Sequence, residues 1–141
     1  MVRRKQQIKR DERRAQRELE ESLADERGRY EAVDRSLCME KSHIFLIDDG
    51  YEFRVQLRFW RHEGQTTEFV YLFQRRVWDD WENVARIDCS HGSCHVHDPD
   101  GDDPTEHLHR LDTIEDVEEA MRLAQARARS MHDQIIRREA A

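Results

Sequence analysis

Apolar and polar side chains alternate strictly between residues 51 and 59, and this alternation restricts the fold more than any other feature of the sequence. The apolar positions are Tyr51, Phe53, Val55, Leu57 and Phe59. Because successive side chains of a strand point to opposite faces, a period of two puts all five on one face. The segment is therefore predicted to be a half-buried strand of an antiparallel sheet.

Further segments have the residue types and lengths of strands. They lie at residues 44–47, 67–77 and 83–89, with a weaker candidate at 106–111. Turn signals such as Asp48-Asp49-Gly50 separate them, and the connections between the first four strands are short. Short connections require antiparallel neighbours, so the sequence predicts a four- to five-stranded antiparallel meander.

A long helix is predicted at the N-terminal end. Residues 3–37 contain no proline, and only Gly28 interrupts a run of good helix formers. The second half of this segment has apolar residues at a/d spacing, namely Leu19, Leu23, Tyr30, Val33 and Leu37. Such a seam packs either on the domain or on another copy of the chain, which would be a homodimer through residues 19–37.

A second helix is predicted from about residue 112 to the C-terminal end. Its apolar residues recur at intervals of three and four: Ile114, Val117, Met121, Ala124, Ala128, Met131 and Ile135. The expected α+β fold has a long N-terminal helix, a four- to five-stranded antiparallel meander and a C-terminal helix packed on the sheet. We divide the chain into a charged helical arm at 1–37 and an α+β domain at 38–141.

The charges are unevenly distributed. The net charge of −7 argues against a protein that coats nucleic acid along its whole surface. Residues 1–17 carry eight basic and two acidic side chains, whereas residues 78–119 carry two basic and fourteen acidic ones. The basic end is suited to contact nucleic acid, an acidic partner or the acidic half of the same protein. The sequence shows no secretory signal or apolar membrane-spanning run, and its three cysteines are expected to be reduced in a cytoplasmic protein.

Residues 86–97 concentrate side chains that bind metals or transfer protons. The zinc-ligand types in and after this segment are Cys89, His91, Cys94, His95, His97, His107 and His109. Their spacing matches no common zinc finger. Two His-x-His segments lying side by side as strands would nevertheless build a four-histidine site.

The same segment also suits acid–base chemistry. Cleavage of a phosphodiester needs a base, an acid and positive charge at the phosphate. We assign these roles to His91, His95 and His97 with Arg86, and Asp88 would orient a histidine or pair with the arginine. Further basic residues and an aromatic one, which suit RNA contact, share a face of an earlier strand: Arg54, Arg58 and Trp60. The plain alternative is that the histidines are only hydrogen-bonded surface residues.

The order of these motifs resembles the TumE-like family, whose members are small bacterial toxin components of toxin–antitoxin pairs. The matching residues are Arg86, Asp88 and His91, then His95 and His97, then Thr113-Ile114-Glu115-Asp116-Val117, within residues 43–123. The resemblance implies an antitoxin partner and an RNA target. We therefore expect a toxin-like protein, an RNA-directed ribonuclease without a cofactor. The alternative is a non-catalytic partner-binding module stabilised by zinc.

Overall fold

The computed structural model describes residues 2–101 and 103–141, and their side chains except those of residues 2–4 and 18–25. Two α-helices flank a run of strands. The elements are α1 (Val2–Glu26), a short 3₁₀ helix (Arg35–Leu37), β1 (Met39–Leu46), β2 (Phe53–His62), β3 (Gln65–Val77), β4 (Asp80–Ser90), β5 (Ser93–His97), β6 (Pro104–Arg110) and α2 (Glu115–Ala140).

The strands form one antiparallel sheet in the order β1-β2-β3-β4-β5-β6. The antiparallel arrangement is confirmed, but the predicted number of four or five strands is wrong because the sheet has six. The added strand is β5, which lies within the histidine- and cysteine-rich segment. It follows β4 through a two-residue turn, in which His91 has φ 51° and Gly92 has φ 71°. Positive φ at both positions is the geometry of a tight type I′ hairpin.

The predicted long N-terminal helix is also wrong, because α1 ends at Glu26 rather than continuing to residue 37. The chain beyond it pairs with the end of the sheet instead. The Gly28 amide donates to the Gly92 carbonyl at 2.8 Å, and the Tyr30 amide donates to the Leu111 carbonyl at 3.0 Å. These long-range hydrogen bonds replace the intrahelical ones that a continuous helix would make.

The predicted a/d seam does not run through a single helix. Tyr30 and Val33 lie in irregular chain, and Leu37 ends the 3₁₀ helix. The side chains of Leu19 and Leu23 lie outside the described residues. Tyr30 packs against the core, and its hydroxyl donates to the Thr67 carbonyl at 2.6 Å. A homodimer through residues 19–37 stays a prediction.

The core lies between one face of the sheet and α2. Phe53, Val55 and Phe73 are fully buried on this face, in accord with the period of two. The buried positions of α2 are Val117, Ala120, Ala124 and Ala128. Three of these four are alanines, which let the helix approach the sheet closely, so the large side chains of the core come mainly from the strands. The opposite face carries the polar side chains of the central strands.

No helix within the described part of the chain is both long and apolar enough to cross a bilayer.

Replacing Gly28 should test the contact that ends α1. A Cβ atom at Gly28 would lie 1.8 Å from the Leu111 carbonyl oxygen, and that backbone atom cannot rotate away. We expect Gly28→Ala to lower the free energy of unfolding by about 3 kcal/mol, the upper end of the usual cost of overpacking. At Gly50 an added Cβ meets nothing within 4 Å. Gly50→Ala should therefore stay within about 0.5 kcal/mol in the same denaturant titration. Equal stabilities for the two variants would contradict the contact.

The half-buried Tyr30 and the buried Tyr71 provide a second test. Burial is the main cause that raises the pKa of both Tyr30 and Tyr71 to about 12, so both hydroxyls keep their protons at neutral pH. The Tyr71 hydroxyl has no hydrogen-bond partner among the described residues. We expect Tyr30→Phe to cost about 1 kcal/mol, whereas Tyr71→Phe should be neutral or stabilising. Chemical denaturation of the two variants measures the difference, and the reverse order would refute it.

Candidate functional site

The last three strands collect the polar side chains on the sheet face opposite the core. Register pairs Arg86 with His97 and Asp88 with His95 across β4 and β5. It also pairs His95 with His107 across β5 and β6. Residues directly opposite in an antiparallel pair share a face, so all five side chains lie together. The alternating residues Ile87 and Val96 point into the core.

Asp88 links Arg86 to His97. Its Oδ1 atom lies 2.9 Å from His97 Nε2, within hydrogen-bond distance. Its Oδ2 atom lies 3.0 Å from Arg86 Nε. The second contact is an ion pair rather than a directional hydrogen bond, because Arg86 Nε has no hydrogen-bond partner among the described residues. His97 is only 6% exposed, and its contact with the Asp88 carboxylate fixes the orientation of the buried ring.

His95 stands between two other imidazoles. Its ring centroid is 6.0 Å from that of His97 and 5.7 Å from that of His107. Burial lowers the pKa of His95, and the imidazoles of His107 and His97 lower it further, against the opposing effects of Asp88 and Glu26. His95 is therefore neutral at neutral pH, and one of its ring nitrogens has a free lone pair.

Ser93 and Glu26 complete the cluster. The fully buried Ser93 hydroxyl lies 2.8 Å from His107 Nδ1. Glu26, the last residue of α1, brings its carboxylate to His95 and His107, and one ligand atom from each of the three lies within 4.8 Å of the others. Glu26 was not predicted as a site residue, because it is far from the histidines along the chain. The only signal that could have indicated it was Gly28, which marks the close approach to the sheet.

A cavity of about 250 Å³ lies beside these groups, and its lining includes Glu26, His91, His95 and His97. A larger cavity of about 500 Å³ is lined by the segment after α1 and the β4–β5 turn, and its described lining shares Ser90 and His91 with the first. The smaller cavity is the candidate site, because the Glu26 carboxylate and the imidazoles of His95 and His97 line it. The other members of the cluster, Arg86, Asp88 and His107, are not part of its lining.

The remaining predicted ligands lie elsewhere. Cys94 is fully buried in the core, and Cys89 is its partner in register. A hydrogen bond with Cys94 and burial raise the pKa of the Cys89 thiol well above its ordinary value, so the thiol keeps its proton. His109 is directed toward the start of α2, where its Nε2 atom is 3.8 Å from Asp116. A register shift between Cys94 and His95 places His107 opposite His95 but His109 opposite the buried Cys94. His109 therefore does not lie beside the other three histidines, and the predicted four-histidine site does not form.

The basic residues of β2 lie on the same sheet face as Arg86. The Arg54 guanidinium is 4.3 Å from the Trp81 ring centroid. Arg58 forms an exposed ion pair with Glu40. Trp60, predicted as an aromatic contact surface, is only 3% exposed, so Trp81 is the aromatic ring nearer the surface on this face.

Comparisons with known proteins give one match. Residues 39–139 match the family DUF7718, described as a domain of unknown function. The match begins at the first residue of β1 and extends almost to the end of α2, so it includes the histidines and excludes Glu26. No curated protein and no solved structure matches the chain. Since the family match spans more than half of the sequence, the chain belongs to the DUF7718 family.

Proposed function

We propose that this chain is a toxin-like protein that cleaves RNA, with His95 and His97 transferring protons and Arg86 binding the phosphate. The observation that carries the proposal is the arrangement around Asp88, whose carboxylate contacts both His97 and Arg86 while His95 lies beside them. The toxin-like role and an antitoxin partner rest on the resemblance of the Arg86–His97 motif to the TumE-like family.

The chemistry requires one group to accept a proton and another to donate one. Neutral His95 accepts the proton of the RNA 2′-hydroxyl as its oxygen attacks the adjacent phosphorus. His97 donates a proton to the departing 5′-oxygen, and the P–O bond breaks as a 2′,3′-cyclic phosphate forms. Because His97 Nε2 is engaged with Asp88, the proton comes from Nδ1, which is buried without a partner among the described residues, so the cavity lining must shift to bring this atom to the 5′-oxygen when RNA binds. Arg86 stabilises the negative charge that develops on the phosphate oxygens.

The sheet face next to the site supplies binding groups for a single strand. Arg54, Arg58 and Arg86 lie on this face, with the Trp81 ring beneath Arg54. Since the chain has a net charge of −7, its affinity for RNA must come from local positive charge, namely this cluster and the basic residues within 1–17. Binding should therefore weaken steeply as salt increases.

Histidine variants test the proton-transfer roles. We expect His95→Ala and His97→Ala each to lower the cleavage rate of end-labelled single-stranded RNA by about 10²–10⁴-fold, the usual contribution of a general acid or base. Both variants should also lose any growth inhibition that induced expression of the wild-type protein causes. The cleavage assay contains a chelator, which removes adventitious metals and keeps the His95 lone pair free.

His43→Ala is the matched control, because His43 is an exposed histidine on β1 outside the site. Its cleavage rate should equal that of the wild type. A 2′-deoxy strand of the same sequence should resist cleavage, because it lacks the attacking hydroxyl. Intact RNA after incubation with folded wild-type protein would refute the proposal and favour a non-catalytic partner-binding module. Full activity in folded His95→Ala and His97→Ala variants would remove these histidines from the mechanism.

A further inference from the structure

We propose that Glu26, His95 and His107 bind a divalent transition-metal ion such as zinc, and that the ion fastens the end of α1 to β5 and β6. This inference does not depend on RNA cleavage. The three residues come from three separate elements, so a single ion would join the N-terminal arm to the sheet. The arm lies outside the residues that match the family, whereas both histidines lie inside them.

The distances suit an ion after a small adjustment. The three candidate ligand atoms lie within 4.8 Å of one another, and all three residues are half-buried. Around a tetrahedral zinc ion with bonds of about 2.0–2.1 Å, ligand atoms are roughly 3.4 Å apart. Each pair must therefore close by at most about 1.4 Å. Glu26 has a long side chain at the end of a helix, so a rotamer change can shorten its distances to both histidines. The distance between the ligand atoms of His95 and His107 shortens through small rotations of the two rings.

The surroundings of the histidines also fit a ligand role. Metal-binding histidines usually donate their second ring N–H to a neighbouring oxygen, which fixes the ring and its tautomer. Ser93 Oγ is placed for this at 2.8 Å from His107 Nδ1, which leaves Nε2 to bind the ion. His95 Nδ1 is buried without a hydrogen-bond partner among the described residues. Buried polar atoms are seldom without a partner, which indicates that the ring interacts with a group such as a bound ion.

The ligand set selects the class of ion. Two imidazoles and one carboxylate suit zinc and its first-row neighbours, whereas magnesium and calcium prefer oxygen ligands alone. The two cysteines are not available as further ligands, because Cys89 and Cys94 face the core. Among the described residues only these three bring ligand atoms together, so a fourth position is left to water on the cavity side, as in zinc sites with three protein ligands.

Calorimetric titration of the metal-free full chain with zinc chloride tests the proposal. We expect one saturable site and a melting temperature that rises by roughly 5–10 °C at saturating zinc. Magnesium chloride should produce neither effect. Glu26→Gln and His107→Ala should each weaken zinc binding by at least about 100-fold and remove the thermal shift. Ser93→Ala should weaken it by about 10–100-fold, since Ser93 acts only through His107.

Two control variants distinguish zinc binding at this site from nonspecific zinc binding to other histidines or carboxylates. Glu31→Gln changes an exposed carboxylate just beyond α1, and His109→Ala removes the imidazole that is directed toward α2. Both should bind zinc like the wild type. Absence of saturable zinc binding would overturn the proposal. Zinc binding that survives Glu26→Gln, in a variant whose circular dichroism equals that of the wild type, would overturn it as well.

Discussion

The site depends on two hydrogen bonds to the Gly92 carbonyl. The Gly28 amide donates one at 2.8 Å, and the Leu111 amide donates the other at 2.9 Å. The carbonyl thereby joins three parts of the chain: the segment after α1, the β4–β5 turn and the end of β6. A Cβ at Gly92 would lie 2.3 Å from the Gly28 carbonyl oxygen, so neither glycine admits a side chain. This close approach ends α1 and brings Glu26 over the histidines.

Much of the sheet could be predicted because its pattern is local. The alternation reports directly on burial at Phe53, Val55, Leu57 and Phe59, whose side chains all lie in the core. It fails at Tyr51, which precedes β2 and is 62% exposed. β5 was left out of the predicted meander, although the four-histidine site assumed a strand there, because it has only five residues and because His91-Gly92 is an unusual sequence for a tight turn. The end of α1 was missed for a different reason. Residues 27–37 have helical composition, but long-range backbone hydrogen bonds outweigh that local preference.

The candidate site, like the fold, could be predicted where its pattern is local and could not where it depends on long-range packing. The spacing of Arg86 and Asp88 correctly indicates a shared face, and so does that of His95 and His97, because each pair is two residues apart on a strand. His107 joins them through the pairing of β5 and β6, but a register shift in that pairing moves His109 away. Such an irregularity has no signature in a single sequence. Neither does Glu26, whose position depends on the packing of the arm.

His95 is common to both proposals, and this imposes a chemical constraint. A neutral imidazole has a single lone pair, which either accepts a proton or binds a metal ion. Metal binding by Glu26, His95 and His107 therefore excludes His95 from proton transfer, while the link between Asp88 and His97 can stay in place. On the two proposals, the metal-bound and proton-transferring forms are alternative states of one cluster. Since Glu26 belongs to the arm and takes no part in proton transfer, replacing it removes a ligand of the metal-bound form and leaves the proton-transferring residues in place.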